Sequence, residues 1–161
     1  MVLKTEQKDG FFNALNDAVS GSGVKSFKTK LEELQWHPNE DQTRWFLVLR
    51  AADENDELMR LLRACNSVAE MYGQPRLYEH DGLEKHSHKK RRPDSHEQKL
   101  QVAKKFHISI AWSLQRPPDN DGTLAYGDIP SAIHQLKVPF NEVKVRIGQD
   151  VTSFSLGQKR R

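Results

Sequence analysis

In "KKFHISIAWSL", residues 104–114, a histidine and a serine stand two positions apart inside an otherwise apolar run. A strand points successive side chains to opposite faces, so Phe106, Ile108, Ile110 and Trp112 are expected in the core, while His107, Ser109, Ala111 and Ser113 share the other face. An imidazole beside a hydroxyl can hydrogen-bond one ligand between them, which makes His107 and Ser109 a candidate reactive pair. The same spacing also suits a polar, solvent-facing strand.

The elements that must position this pair follow from the apolar pattern. Phe11, Leu15, Ala18 and Val19 fall on one helical face, and Gly21 with Gly23 ends that segment. "VKSFKTKLEELQWHP" alternates moderately and stops at Pro38, as an edge-like strand would; "TRWFLVLRA" is apolar on both faces and reads as a central strand. Leu58, Leu61, Leu62, Cys65, Val68, Ala69 and Tyr72 repeat at helical spacing, with Asp56 and Glu57 at the positive end and Gly73 and Pro75 closing the segment. Residues 80–105 are rich in Lys, Arg and His with almost no apolar periodicity, and are expected to be a disordered basic insertion. A further helix is expected at 128–136, with Asp128 as cap and Pro130 in its first turn, and "NEVKVRI" and "VTSFSL" around Gly148 and Asp150 read as a hairpin. The sum is an α+β arrangement, a mostly antiparallel sheet with helices packed on one face, in a single domain over residues 1–161.

Composition narrows the function classes. The chain has 161 residues, 36% hydrophobic and 29% charged, with a net charge of +3 and no apolar run near the roughly 18 residues that span a membrane. No membrane partner is expected, and the mild basicity hints at an anionic one. The one cysteine, Cys65, fits a small hydrophobe in a reducing compartment. His80, His86, His88 and His96 lack the spacing of a metal frame, so no metal or other cofactor is expected. "KKRR" at residues 89–92 reads first as a solvated run, with RNA-phosphate attraction or nuclear import as the rival readings. Trp36, Trp45 and Trp112 are most simply core.

"FHISIAWSL" resembles the second His-x-Ser motif of the 2H phosphoesterase superfamily, and specifically of the U6 small nuclear RNA phosphodiesterase family. "TRWFLVLRA", "LLRACNSVAEMYGQPRLYE" and "EVKVRIGQDVTSFSL" are similar to that family's strand, long helix and terminal hairpin. The resemblance implies one lobe of a bilobal fold in which two His-x-Ser/Thr motifs face each other across a cleft. One histidine takes the proton of a ribose 2′-hydroxyl while the other protonates the leaving 5′-oxygen, without a metal. It further implies a monomeric nuclear enzyme that shortens the uridine-rich 3′ end of U6 small nuclear RNA and leaves a 2′,3′-cyclic phosphate. By the same resemblance His107 is an acid/base residue, Ser109 a phosphate-binding partner, and Tyr78 the aromatic that stacks on the terminal base. Read alone, Tyr78 is equally an ordinary loop tyrosine packed on its neighbours.

No other histidine is followed two places later by Ser or Thr. "MVLKTEQKDGFFNALNDAV" resembles the family's segment just after its first motif, so that motif is expected upstream of Met1, in a chain cut short at its N-terminus. Such a half-site is expected to be inactive, and the rival expectation is a non-catalytic remnant that binds an RNA 3′ end.

Overall fold

The first helical stripe forms α1, Lys8–Gly21, which buries Phe11, Leu15 and Val19. In this computed structural model residues 3–39, 41–78, 101–115, 133 and 135–157 are described. The second stripe forms α2, Glu57–Met71, burying Met59, Leu61, Leu62, Val68 and Ala69. Its first turn is capped by Asp53, whose carboxylate accepts the backbone N–H of Leu58 at 2.8 Å and of Met59 at 3.0 Å. The two helices cross closely enough that Phe11 and Tyr72 meet edge to face at 5.3 Å.

The strands are β1, Phe27–Pro38; β2, Trp45–Ala51; β3, His107–Ser113; β4, Lys137–Phe140; β5, Glu142–Ile147; and β6, Asp150–Ser155. The first four form an antiparallel sheet in the order β3-β2-β1-β4, and the last two pair as a separate hairpin. Gly148, at φ +62°, takes the first of the hairpin's two loop positions, where positive φ favours glycine. The α+β class and the central place of β2 match expectation. β4 is an addition to the expected strands: it pairs with Phe27 to Lys30 of β1, whereas β2 pairs with Leu31 to Pro38, so each half of β1 has a ladder on one side.

One core cluster gathers Phe11, Leu15 and Val19 of α1, Leu61 and Val68 of α2, Phe27 of β1, and Phe154 and Leu156. A second joins Leu31 and Leu49, with Leu34, Ile108 and Val138 packed against them. The helices therefore cover the sheet face that carries Phe27.

Two bulges decide which side chains reach the opposite face. On β1, Leu31 pairs with Ala51 but Glu33 with Arg50, so Glu32 is an extra residue. The slip keeps Leu34 and Trp36 in phase with Phe27, Thr29 and Leu31, and sends Glu33, Gln35 and His37 to the other side. On β3, Ser109 pairs with Val48 and Ala111 with Leu47, so Ile110 is extra. The expectation of simple alternation through β3 fails there. Ile110 is 50% and Trp112 62% exposed rather than buried, and Trp112, paired with Phe46, turns to the side of His107. Trp36 and Trp45 are half-buried.

Most of the 80–105 segment lies outside the described residues; its end, 101–103, is helical. Of the helix expected at 128–136, Ile133, Gln135 and Leu136 alone are described. No helix among the described residues is long and apolar enough to cross a membrane.

Candidate functional site

Cross-strand partners share a face, so the register builds the face opposite the helices row by row. Glu33, Arg50 and His107 form one row; Gln35, Val48 and Ser109 the next; His37, Phe46 and Trp112 lie beyond. Phe27 of β1 packs in the cluster with the helices, and Leu31 and Leu49 with Leu34, Ile108 and Val138, which puts these rows on the other face, where Val48 is fully buried and His37, His107, Ser109 and Trp112 are exposed. The predicted pair is thus brought together: His107 and Ser109 are neighbours on this face, both exposed.

The His107 ring has a fixed orientation. Its Nδ1 lies 2.6 Å from the carbonyl oxygen of Lys105. A carbonyl can only accept, so Nδ1 carries the hydrogen and Nε2 is the atom free to take or give a proton.

The structure adds a histidine that the motif search set aside. His37 and His107 stand with ring centroids 6.4 Å apart and planes inclined by 28°. Their backbones are two strands and several residues apart, so the rings meet because the sheet curls toward this face. Partial burial holds the His37 imidazole below its ordinary range, and the neighbouring His107 pushes it the same way, against a smaller opposing pull from the Glu33 carboxylate. Arg50 in the same row is occupied by acids: its Nη2 donates to Glu32 Oε2 at 3.0 Å, and Nε lies 3.2 Å from Glu33 Oε2. The Nε–H itself does not point at that oxygen, so the contact is an ion pair without a hydrogen bond. At the far edge the Arg44 guanidinium sits 5.8 Å over the Trp112 ring.

Tyr78 packs against the start of β3. Its ring meets Phe106 edge to face at 6.2 Å, under the Lys105 ammonium at 5.6 Å, and burial pushes its phenol up. Phe106 precedes His107 and points to the other face, so Tyr78 joins β3 through Phe106. Its backbone has φ +64°, a strained left-handed conformation for a tyrosine. The preceding residue is anchored: Asn66 of α2, 5% exposed, accepts Leu77 N–H at 2.9 Å and donates to the Leu77 carbonyl at 3.0 Å.

Sequence reasoning missed His37, the outward turn of Trp112, and Asn66. A signal for His37 existed, because the apolar phase of β1 slips by one between Leu31 and Leu34, and that slip puts residue 37 opposite the core. No comparable signal marked Ile110, and a lone Asn in a helical stripe gives none. Among the described residues no group of acids, histidines and cysteines could hold a metal ion; His80, His86, His88 and His96 lie outside them.

Comparison with known proteins adds a family match, a relative by sequence and two solved structures. The family model HVSL, described as an uncharacterised conserved protein, matches residues 1–155. U6 snRNA phosphodiesterase 1 of Neurospora crassa is 28% identical over 186 residues, covering 99% of this chain and 46% of that protein, so the chain spans about half its length. Usb1 of Kluyveromyces marxianus shares the fold with a TM-score of 0.59 at 18% identity, over 97% of this chain and 71% of that one. The same protein solved with uridine monophosphate gives a TM-score of 0.58 at 16% identity, over 97% and 70%.

Proposed function

Because this chain belongs to the HVSL family, we propose that it acts on RNA 3′ ends as a phosphodiesterase, with His107 and Ser109 at the reacting phosphate. The observation that carries this reading is the outward Nε2 of an imidazole anchored through Nδ1, beside an exposed serine on the same face of β3. The name of the Neurospora relative, a U6 snRNA phosphodiesterase, supports the reaction class, and a fold neighbour solved with uridine monophosphate supports a nucleotide ligand.

The chemistry is a transesterification. The ribose 2′-oxygen attacks phosphorus and loses its proton to a base; the P–O2′ bond forms, the P–O5′ bond breaks, and an acid protonates the departing 5′-oxygen. The product ends in a 2′,3′-cyclic phosphate. His107 supplies one of the two proton transfers, worth roughly 10²–10⁴-fold in rate. Ser109 donates to a non-bridging oxygen, where charge builds in the transition state. Tyr78 receives the terminal base. Within this reading the substrate is the uridine-rich end of U6 small nuclear RNA, the setting is nuclear, the protein works as a monomer, and the scheme requires no metal.

The test uses the whole chain and an RNA ending in several uridines, with the products identified by mass in the presence of EDTA. One-nucleotide shortening to a cyclic phosphate that disappears in His107→Ala supports the reading and shows that this chain is active although it holds a single His-x-Ser motif. Shortening that survives in His107→Ala overturns the assignment. Binding without cleavage moves the protein to the class of RNA 3′-end binders. In either class Tyr78→Ala weakens RNA affinity by about 1–3 kcal/mol; unchanged affinity removes Tyr78 from the site.

A further inference from the structure

We propose that Trp112 and Arg44 form a second nucleotide-binding position on this face, where a base upstream of the reacting phosphate stacks on the indole and the guanidinium pairs with a phosphate beside it. The inference rests on the phosphodiesterase reading and deepens it, from a site for one 3′ nucleotide to a track along β3 that favours longer RNA.

The placement of the indole comes first. The bulge at Ile110 turns Trp112 to the face of His107 and Ser109, where simple alternation would have kept it with Ile108 and Leu49. Burial does not account for that turn, because Trp112 is exposed and packs in neither core cluster. An exposed tryptophan offers a large, flat surface at little conformational cost. Every base has a face that can stack on such a ring, which makes it a platform for single-stranded nucleic acid.

The charge beside the ring narrows the occupant. The Arg44 guanidinium lies 5.8 Å from the ring centroid. Its backbone is held by Asn39, whose Oδ1 accepts the Arg44 N–H at 3.0 Å and whose N–H donates to the Arg44 carbonyl at 2.9 Å. Among the described residues no carboxylate pairs with Arg44, whereas Arg50 on the same face is balanced by Glu32 and Glu33. A purely apolar partner seated on Trp112 would desolvate this cation without compensation. A nucleotide supplies both a base for the ring and an anion for the guanidinium, which can hold a phosphate through two parallel hydrogen bonds.

The spacing sets which nucleotide. Arg50 and Phe46, the partners of His107 and Trp112, are four residues apart on β2, which separates the two side chains by about 13 Å along the sheet. That distance spans about four stacked nucleotide steps of roughly 3.4 Å, and fewer in an extended strand. Tyr78 packs on Phe106 at the opposite end of β3, so terminal base, reacting phosphate and upstream base fall in order along one strand. A dinucleotide held at Tyr78 and His107 stops short of Trp112; a longer RNA reaches it.

The experiment measures binding by isothermal titration calorimetry at several salt concentrations, using a uridine dinucleotide and a uridine octanucleotide. Each carries hydrogen in place of the 2′-hydroxyl at the scissile step, so neither is cut. We expect Trp112→Ala to lose roughly 5–150-fold in affinity for the octanucleotide and nothing for the dinucleotide. Trp112→Phe, which keeps a ring to stack on, should recover most of that loss. Arg44→Gln should lower the slope of log affinity against log salt by roughly 0.7, on the octanucleotide alone. Natural octanucleotide affinity in Trp112→Ala, with Tyr78→Ala weakened, overturns this inference and leaves the phosphodiesterase reading intact. Equal losses on both lengths also overturn it, since Trp112 would then act on the terminal nucleotide or on the fold. An unchanged salt slope in Arg44→Gln removes the guanidinium from the proposed position. Failure of the natural chain to bind either RNA overturns the inference and the reading together.

Discussion

β1 serves two surfaces at once. At its start Phe27 is 8% exposed and stacks on Phe140 of β4 at 5.0 Å, beneath the helices. Ten residues later, on the opposite face, His37 stands in solvent beside His107. The first end is fixed by apolar burial, which is non-directional and tolerates nothing smaller without a cavity. The second is held by backbone register and a few polar contacts, so its side chains can change with little effect on folding and a large effect on chemistry. That division between a face that holds the protein together and a face that is free to act is what substitutions can test.

The largest stability effect belongs on the covered face. Phe11, 2% exposed in the centre of the main cluster, should cost about 3–5 kcal/mol when changed to Ala. Urea unfolding followed by circular dichroism measures it, and a loss below about 1 kcal/mol would mean that this cluster is not the core. Asn66→Ala comes next, at about 1–3 kcal/mol, because it strands the Leu77 N–H and carbonyl that the amide now satisfies. It should also free Tyr78, read as higher mobility of the Tyr78 ring signals by NMR. Trp112→Ala should change stability by less than about 0.5 kcal/mol, since the ring is 62% exposed; a core-sized loss would show that this ring is covered.

The smallest effect is one of pH. His37 binds a proton less readily folded than unfolded, so the unfolded chain takes up more protons as pH falls through the ordinary imidazole value of 6.5. Stability should therefore fall slightly below that pH and stay level above it. His37→Gln should remove that part of the pH dependence, and an unchanged profile would mean that the ring is not partly desolvated.

How far the sequence could be read follows from the same division. Helical spacing of Phe11, Leu15 and Val19, and of Leu58, Leu61, Leu62 and Val68, was legible because one buried face imposes one period. β2 was legible as a central strand because both its faces are lined with apolar side chains. His107 and Ser109 were legible as neighbours because they precede the bulge at Ile110, whereas Trp112, just after it, was assigned to the wrong face. β4 escaped notice because four residues, one of them Pro139, are too short to show a period. Proximity of His37 to His107 depends on a pairing register and a curl spread over three strands, neither of which any local pattern records.

The spare residues in the ladder also bear on how this chain can tolerate insertions and deletions. Losing one residue from a strand ordinarily turns every later side chain to the wrong face. At Glu32 it should not: without it, Leu31 opposite Ala51 would be followed directly by Glu33 opposite Arg50, the pairing already present. A deletion of Gln35, three residues further on, would instead carry His37 to the helix side. Length variation in β1 is therefore expected to be tolerated at position 32 and disruptive beyond it, so the bulge marks where this strand can be shortened without moving its histidine.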